Sequence, residues 1–219
     1  MLVIVGTGDH ARVMADVARA IGREPIGFVE PSDDGSAGGE VDGLRVLGSL
    51  VSPDAWRAPL GNEAVEFVVA IGGNATRERV FARCLELGLR PVALVHPTAV
   101  LLGGAEVLPG AQVCAGAIIG LAAIIGRDAI VNTAASVDHD GRIGEHAFVG
   151  PGARLAGRVT VEVGAHVGLG AAVREGCTIG ARSYVAAGAV VVRDVPAGIR
   201  VAGVPARPMD RPSPPEEDV

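Results

Sequence analysis

A histidine stands between two carboxylates in the second half of the chain, at Asp138-His139-Asp140. A carboxylate that is hydrogen-bonded to one ring nitrogen fixes the tautomer of an imidazole and raises the basicity of the other nitrogen. These are the requirements of a general base that removes a proton from a nucleophile. The same three residues also fit a solvated surface histidine among acids, and the local pattern alone leaves both interpretations open.

A second candidate site lies near the N-terminus, where Gly6-Thr-Gly8-Asp-His10-Ala11 resembles the GxGxxA turn of dinucleotide-binding domains. Glu30 ends the second predicted strand, where an acid that binds a ribose would lie. Such a turn exposes free N–H groups at a helix N-terminus, and these suit an anion. Asp9 would repel a diphosphate unless its carboxylate points away. A tight strand–helix turn without a ligand is the alternative.

The element that must position His139 is a repeat. From Val95 to Val191 every sixth residue is aliphatic, and the fourth residue after each is usually small. A period of six fits neither an α-helix nor an alternating strand, and it is typical of parallel β-helices. Three short strands per coil place residues 18 apart directly above one another. The pattern predicts a β-helix over residues 95–207, in which His139 lies outside, near a corner, two residues after the inward-facing Val137.

The segment that must position the glycine turn has a different sequence pattern. Residues 1–94 predict a small Rossmann-like α/β domain with a parallel sheet, because buried strands alternate with helical segments. The predicted strands cover 2–5, 25–29 and 67–71, the helices 11–21 and 77–87, and a polar loop 31–43. Residues 208–219 are rich in proline and acids and are predicted to form a disordered tail.

Composition excludes several classes of protein. The net charge of −6 argues against a nucleic-acid partner. Cys84, Cys114 and Cys177 form neither a CxxC motif nor a Cys/His cluster, so we expect no disulfide framework and no metal site. We therefore expect the protein in the reducing cytoplasm. The opening residues lack the basic region of a signal peptide. The apolar stretch 107–126 contains Pro109 and several glycines, so we expect no membrane span.

The two halves together resemble the sialic-acid and amino-sugar acetyltransferases of the left-handed β-helix hexapeptide superfamily. The resemblance covers nearly the whole chain and rests on Val3–Val13 around the glycine turn, Val46-Leu-Gly48, Ala70-Ile-Gly-Gly-Asn74 with Arg77, the hexapeptide run, Asn132-Thr133 ahead of Asp138-His139-Asp140, and Ala202-Gly-Val-Pro-Ala-Arg207. It implies an α/β N-terminal Rossmann-like domain followed by a left-handed parallel β-helix. It also implies a homotrimer that uses acetyl-CoA as co-substrate and needs no metal.

The resemblance assigns roles to residues at both sites. His139 is the proton acceptor and Asp140 supports it. Asp140 is one methylene shorter than the glutamate often found there, which predicts a weaker or water-mediated hydrogen bond. The substrate site is expected to hold the diphosphate or uridine-like part of a nucleotide sugar, with the residues Gly8, Asp9, His10, Glu30, Gly72 and Asn74. The acetyl-CoA groove is expected to include Phe148, Gly157, Leu169 and Ala187.

We therefore expect an N-acetyltransferase that acts on the amine of a nucleotide-linked 4-amino-4,6-dideoxy sugar by direct transfer. An O-acetyltransferase that acts on sialic acid or another sugar hydroxyl is the nearest alternative, because the same histidine would serve it. A non-catalytic nucleotide-binding trimeric scaffold is the alternative from another class. His146 and His166 occupy other positions of the repeat and are expected at the surface or in a trimer contact.

Overall fold

A computed structural model describes residues 1–32, 38–61 and 63–209. The middle of the predicted loop at 31–43, and the predicted tail from residue 210 onward, lie outside these residues. The described chain forms an α/β domain followed by a three-sided β-helix. Among the described residues, no helix is both long and apolar enough to cross a membrane.

The N-terminal domain has one six-stranded sheet between two layers of helix. Its strands are β1 (Leu2–Val5), β2 (Gly27–Glu30), β3 (Glu40–Val41), β4 (Leu44–Ser49), β5 (Glu66–Val69) and β6 (Arg90–Pro91), in the order β3-β4-β2-β1-β5-β6. Its helices are α1 (Asp9–Ala20), α2 (Pro53–Arg57) and α3 (Asn74–Glu86), with a 3₁₀ turn at Ala58–Leu60. All pairs are parallel except β3–β4. Because helices cover both faces, all four residues of β1 are buried.

Both long helices begin earlier than the sequence predicts. Helix α1 starts at Asp9 rather than at residue 11, and α3 starts at Asn74 rather than at residue 77. In each case an extended glycine, Gly8 or Gly73, takes the N-cap position. Asp9 and Asn74 therefore lie in the first turns of helices. The predicted loop at 31–43 is also partly wrong, since β3 pairs with β4 as a short hairpin.

The β-helix has three faces of two- or three-residue strands. The first face contains β7 (Leu94–Val95), β10 (Gln112–Val113), β13 (Ile130–Val131), β16 (Phe148–Val149), β19 (His166–Val167), β22 (Tyr184–Val185) and β24 (Arg200–Ala202). The second contains β8 (Val100–Leu101), β11 (Ile118–Ile119), β14 (Ser136–Val137), β17 (Arg154–Leu155), β20 (Ala172–Val173) and β23 (Val190–Val191). The third contains β9 (Glu106–Val107), β12 (Ile124–Ile125), β15 (Arg142–Ile143), β18 (Thr160–Val161) and β21 (Thr178–Ile179). Strand β25 (Arg207–Pro208) turns back antiparallel against β24.

The predicted 18-residue register is confirmed. Parallel pairs such as Val113 with Val131 and Val131 with Val149 join successive coils. The aliphatic side chains and the small residues between them form one buried column. We name the turn from the first to the second face the first corner, the turn from the second to the third face the second corner, and the turn from the third back to the first face the third corner.

The N-terminal domain packs on the first face and the third corner. Leu94 and Cys114 join the buried cluster of α1, and Gln112 is fully buried beside them. Helix α3 contacts the third corner through side chains described below. The second corner lies on the other side of the β-helix. This arrangement decides which of the predicted site residues can meet within one chain.

Candidate active site

His139 lies at the second corner, between β14 and β15, with 40% of its side chain exposed. Its Nδ1 is 2.9 Å from Oδ2 of Asp140, and its backbone N–H donates to Oδ1 of Asp138 at 2.7 Å. The expectation of a water-mediated bond is wrong, because the short side chain of Asp140, whose φ is 57°, meets the ring directly; a bond weaker than one to glutamate stays a prediction. This bond, followed by the charge of Asp138, raises the pKa of His139.

Gly157 lies one coil beyond His139 and touches its ring. A Cβ at residue 157 would lie 2.3 Å from Nε2 of His139, so a side chain fits there only if the imidazole moves. Since Nδ1 is engaged by Asp140, Nε2 is the nitrogen available to take a proton. A groove of about 490 Å³ runs along the second face beside this corner and is lined by Ile118, Asp138 and others. The arrangement suits a general base at the edge of a substrate groove.

The glycine turn forms a separate cavity of about 300 Å³ in the N-terminal domain. It is lined by residues that include Gly6, Thr7, Gly8, His10, Glu30 and Ile71. Glu30 is 5% exposed and accepts a hydrogen bond from the hydroxyl of Thr7. His10 contacts the β-helix as well, because its Nε2 lies 2.8 Å from Oε1 of Gln112. The structure therefore brings Gly8, His10 and Glu30 together as expected.

Three other predicted substrate residues do not line this cavity. The side chain of Asp9 is 90% exposed and paired with Arg12 at 3.0 Å, so its carboxylate points to solvent and does not oppose an anion. Asn74 instead donates from Nδ2 to the carbonyls of Gly164, at 3.0 Å, and Ala165, at 3.2 Å. The carbonyl of Gly72 accepts from a guanidinium N–H of α3. Asn74 thus belongs to the contact between α3 and the third corner, Gly72 helps to hold Arg77 of that contact, and a role of either residue in substrate binding stays a prediction.

A buried ion pair holds that contact together. Arg77 of α3 and Asp128 of the third corner have no exposed side-chain surface, and Nε of Arg77 is 3.2 Å from Oδ2 of Asp128. Arg77 also donates to the carbonyl of His146 at 2.7 Å. Burial raises the pKa of Asp128, whereas the hydrogen bond from His146 and the charge of Arg77 oppose this. The expectation of a surface or trimer role for His146 is wrong, since its ring binds Asp128 at 2.8 Å.

The partners of α3 on the β-helix form a column. Asp128, His146, Gly164 and Arg182 are spaced by 18 residues, and all four have left-handed φ values between 54° and 65°. Glu78 completes the contact by binding Arg182 at 2.8 and 3.0 Å. Sequence reasoning missed this set. Its signal was the motif residue Arg77 together with charged residues at one corner position of successive coils.

The four residues expected to line the acetyl-CoA groove are distributed over two sides of the β-helix. Phe148 lies on the first face, where its ring stacks on His166, which stacks on Tyr184, with centroid distances of 4.6 and 4.7 Å. Leu169, 60% exposed, and Ala187 lie at the first corner. Only Gly157 adjoins His139. Within one chain these residues cannot form one groove, because the second face separates the first and second corners. Among the described residues no cluster of three metal-ligating side chains occurs.

Comparisons with known proteins agree with these features. Residues 1–84 match the family model of the PglD N-terminal domain. A GDP-perosamine N-acetyltransferase from Escherichia coli O157:H7 is 35% identical, and the match covers 82% of this chain and 81% of that protein.

Two solved structures are similar over almost their whole length. One is a histidine-to-asparagine variant of perosamine N-acetyltransferase from Caulobacter crescentus in complex with CoA and GDP-perosamine. It has a TM-score of 0.89 and 37% identity, with 96% of this chain and 97% of that chain covered. The other is the acetyltransferase domain of PglB from Neisseria gonorrhoeae FA1090 in complex with acetyl coenzyme A. It has a TM-score of 0.85 and 33% identity, with 95% and 98% covered.

The sequence, the fold and these relatives lead to one assignment. The expected fold class, an N-terminal Rossmann-like domain followed by a left-handed parallel β-helix, is confirmed. The chain belongs to the sialic-acid and amino-sugar acetyltransferase family of the left-handed β-helix hexapeptide superfamily.

Proposed function

We propose that this protein transfers the acetyl group of acetyl-CoA to the amine of a nucleotide-linked 4-amino-4,6-dideoxy sugar, with His139 as the general base. The relatives support this substrate class, since one is a GDP-perosamine N-acetyltransferase and another was solved with CoA and GDP-perosamine. The observation that carries the proposal is the pairing of Nδ1 of His139 with Asp140, which leaves Nε2 available beside Gly157 and the groove.

The reaction proceeds by direct attack of the amine on the thioester. Nε2 of His139 takes a proton from the amine as its nitrogen bonds to the carbonyl carbon of acetyl-CoA. The tetrahedral oxyanion is stabilised by a backbone N–H, and it collapses to the amide as the C–S bond breaks; the leaving CoA thiolate takes the proton from Nε2 of His139, which restores the neutral base. An acyl-enzyme is disfavoured, because the cysteines are buried and burial raises the pKa of Cys114 to about 12.

We propose a homotrimer as the active assembly. The second corner of one chain carries His139 and Gly157, and the first face and first corner of the next chain supply Phe148, Leu169 and Ala187. Acetyl-CoA would lie in the groove between them, and a closed trimer has three equivalent grooves of this kind. We further propose that the enzyme works in the cytoplasm, in keeping with three free cysteines and no disulfide among the described residues.

A substrate screen tests the proposal. Acetyl-CoA is incubated with UDP-, GDP- and dTDP-linked 4-amino-4,6-dideoxy sugars and with free sialic acid, and thiol release is measured. We expect turnover with one of the amino sugars, and a loss of about 10²- to 10⁴-fold in His139→Ala. Full activity of His139→Ala would exclude His139 as the base. Turnover on sialic acid alone would favour O-acetylation, and failure to bind acetyl-CoA would favour the scaffold.

A further inference from the structure

Gln112 connects the two domains through a single side-chain amide. It lies on β10 of the β-helix and is fully buried under the N-terminal domain. Its Nε2 donates to the backbone carbonyl of Val69, at the end of β5, at 2.8 Å. Its Oε1 lies 2.8 Å from Nε2 of His10, in the first turn of α1. A residue of the β-helix therefore contacts His10, which lines the cavity of the glycine turn.

This bond network determines the tautomer of His10. A backbone carbonyl only accepts hydrogen bonds, so the amide nitrogen of Gln112 must face Val69 and the amide oxygen must face His10. Nε2 of His10 must then be the protonated nitrogen. Burial, which outweighs the hydrogen bond to Gln112, lowers the pKa of His10 to about 4, so the ring is neutral at neutral pH. A neutral imidazole has one N–H, and Nδ1 is therefore an acceptor.

The acceptor nitrogen is available at the cavity. His10 lines the cavity, and within the described part of the chain Nδ1 is neither hydrogen-bonded nor among the buried unpaired atoms. The carboxylate of Glu30, a second acceptor, lines the same cavity. Whatever Glu30 binds, an unprotonated Nδ1 accepts hydrogen bonds from hydroxyl and N–H groups and has no proton to donate to a phosphate oxygen. The phosphates of a ligand are better matched by the backbone N–H groups at the start of α1.

We propose that His10, held in its Nε2–H tautomer by Gln112, is a specificity residue that accepts a hydrogen bond from a hydroxyl or N–H group of the nucleotide sugar and does not contact its phosphates. The inference rests on the proposed function for the identity of the ligand. It goes beyond that function by stating which kind of ligand group meets His10 and in which protonation state His10 receives it.

Two measurements test this proposal, and the first needs no variant. Nitrogen-15 spectra of histidine-labelled protein should show a pyrrole-like Nε2 and a pyridine-like Nδ1 for His10 at neutral pH. His10→Asn is used to assign the signal. A protonated Nδ1, or a doubly protonated ring, would overturn the proposal even if the enzyme acetylates an amino sugar.

The second measurement is calorimetric binding of GDP-, UDP- and dTDP-linked 4-amino-4,6-dideoxy sugars, and of inorganic pyrophosphate, to the wild type, His10→Asn and His10→Gln in the absence of acetyl-CoA. Asparagine retains a polar group near the position of Nδ1, whereas glutamine replaces only Nε2. For the preferred nucleotide sugar we expect His10→Gln to raise Kd about tenfold and His10→Asn to raise it less, with pyrophosphate binding unchanged. An equal loss of pyrophosphate binding, or no loss of nucleotide-sugar binding in His10→Gln, would refute it. Because binding does not require turnover, this result is independent of whether an amino sugar is acetylated.

Discussion

A single methyl group at residue 157 should disable the general base. In Gly157→Ala the new Cβ would lie 2.3 Å from Nε2 of His139, whereas ordinary van der Waals contact begins near 3.4 Å. The backbone of a coil is held by hydrogen bonds to the coils on either side, such as those from Asp138 N to Leu155 O and from Arg158 N to His139 O. The imidazole must therefore move, because it is partly exposed and the coil is not free to shift.

The size of the effect follows from this displacement. The ring has to move by about 1 Å, and an error of this size in a catalytic group costs on the order of 10²-fold in rate. The same movement lengthens the 2.9 Å bond to Asp140, which is the main cause of the raised pKa of His139. The acidic limb of kcat/KM should therefore shift to lower pH in the variant. Stability should change little, since the displaced end of the side chain is partly exposed and is not packed in the core.

Gly103→Ala is the matched control. Residue 103 occupies the same position of the second corner three coils before Gly157, and its Cβ would meet only Leu121, at an ordinary 3.6 Å. Initial rates of thiol release and thermal unfolding are measured for both variants and the wild type. A Gly157→Ala enzyme with unchanged kcat/KM and pH profile would refute the placement of Nε2 against Gly157. Equal losses of activity in both variants would show that any added methyl group at the second corner lowers activity, whether or not it displaces the imidazole.

Three further predictions concern charge and burial. Asp140→Asn should lower kcat by about 10²-fold and move the acidic limb of the pH–rate profile to lower pH. The reason is that the substitution weakens the hydrogen bond that raises the pKa of His139. A profile that is unchanged between about pH 5 and pH 9 would contradict this prediction. Arg77→Met should cost about 3 kcal/mol in urea unfolding, since it leaves Asp128 buried without its cation, and adding Asp128→Asn should restore part of the loss. Burial lowers the pKa values of His10 and His166 from 6.5 to about 4. As the pH falls, these histidines therefore take up protons in the unfolded chain before they do so in the folded protein. Their contribution to the free energy of unfolding is fully present above pH 6.5 and is lost as the pH falls from 6.5 towards 4. His166→Phe keeps a ring in the stack and should reduce this acid sensitivity in unfolding measured near pH 7.5 and pH 5, and an equal loss in both proteins would contradict the assignment.

The β-helix could be predicted because one physical rule governs it. Each inward position must be apolar and each corner must close in a few residues, so the period of six is present in the sequence itself. The same register placed His139 outside a corner and Gly157 one coil beyond it, and both positions are as expected. Side-chain length alone predicted a weaker or water-mediated bond from His139 to Asp140, whereas the two side chains meet directly at 2.9 Å.

The arrangement of the two domains could not be predicted in this way. The period of six is the same on all three sides, so it does not reveal which face receives the N-terminal domain. Asn74 illustrates the difficulty, since a polar residue after a strand suits a ligand pocket as well as it suits the carbonyls of Gly164 and Ala165. In the proposed trimer the residues around acetyl-CoA come from two chains, and the period of one chain carries no information about how chains assemble.

The column that α3 contacts has a consequence for how chains of this kind can vary in length. Asn74, Arg77 and Glu78 have fixed spacings along one helix, and their partners belong to successive coils between Asp128 and Arg182. An insertion or deletion of one complete 18-residue coil within that interval would keep the core intact but would separate these partners from the helix. A coil gained or lost beyond residue 185 would leave every one of them in place. The contact with α3 therefore disfavours natural variation in the number of coils between residues 128 and 182 and tolerates it at the C-terminal end of the β-helix.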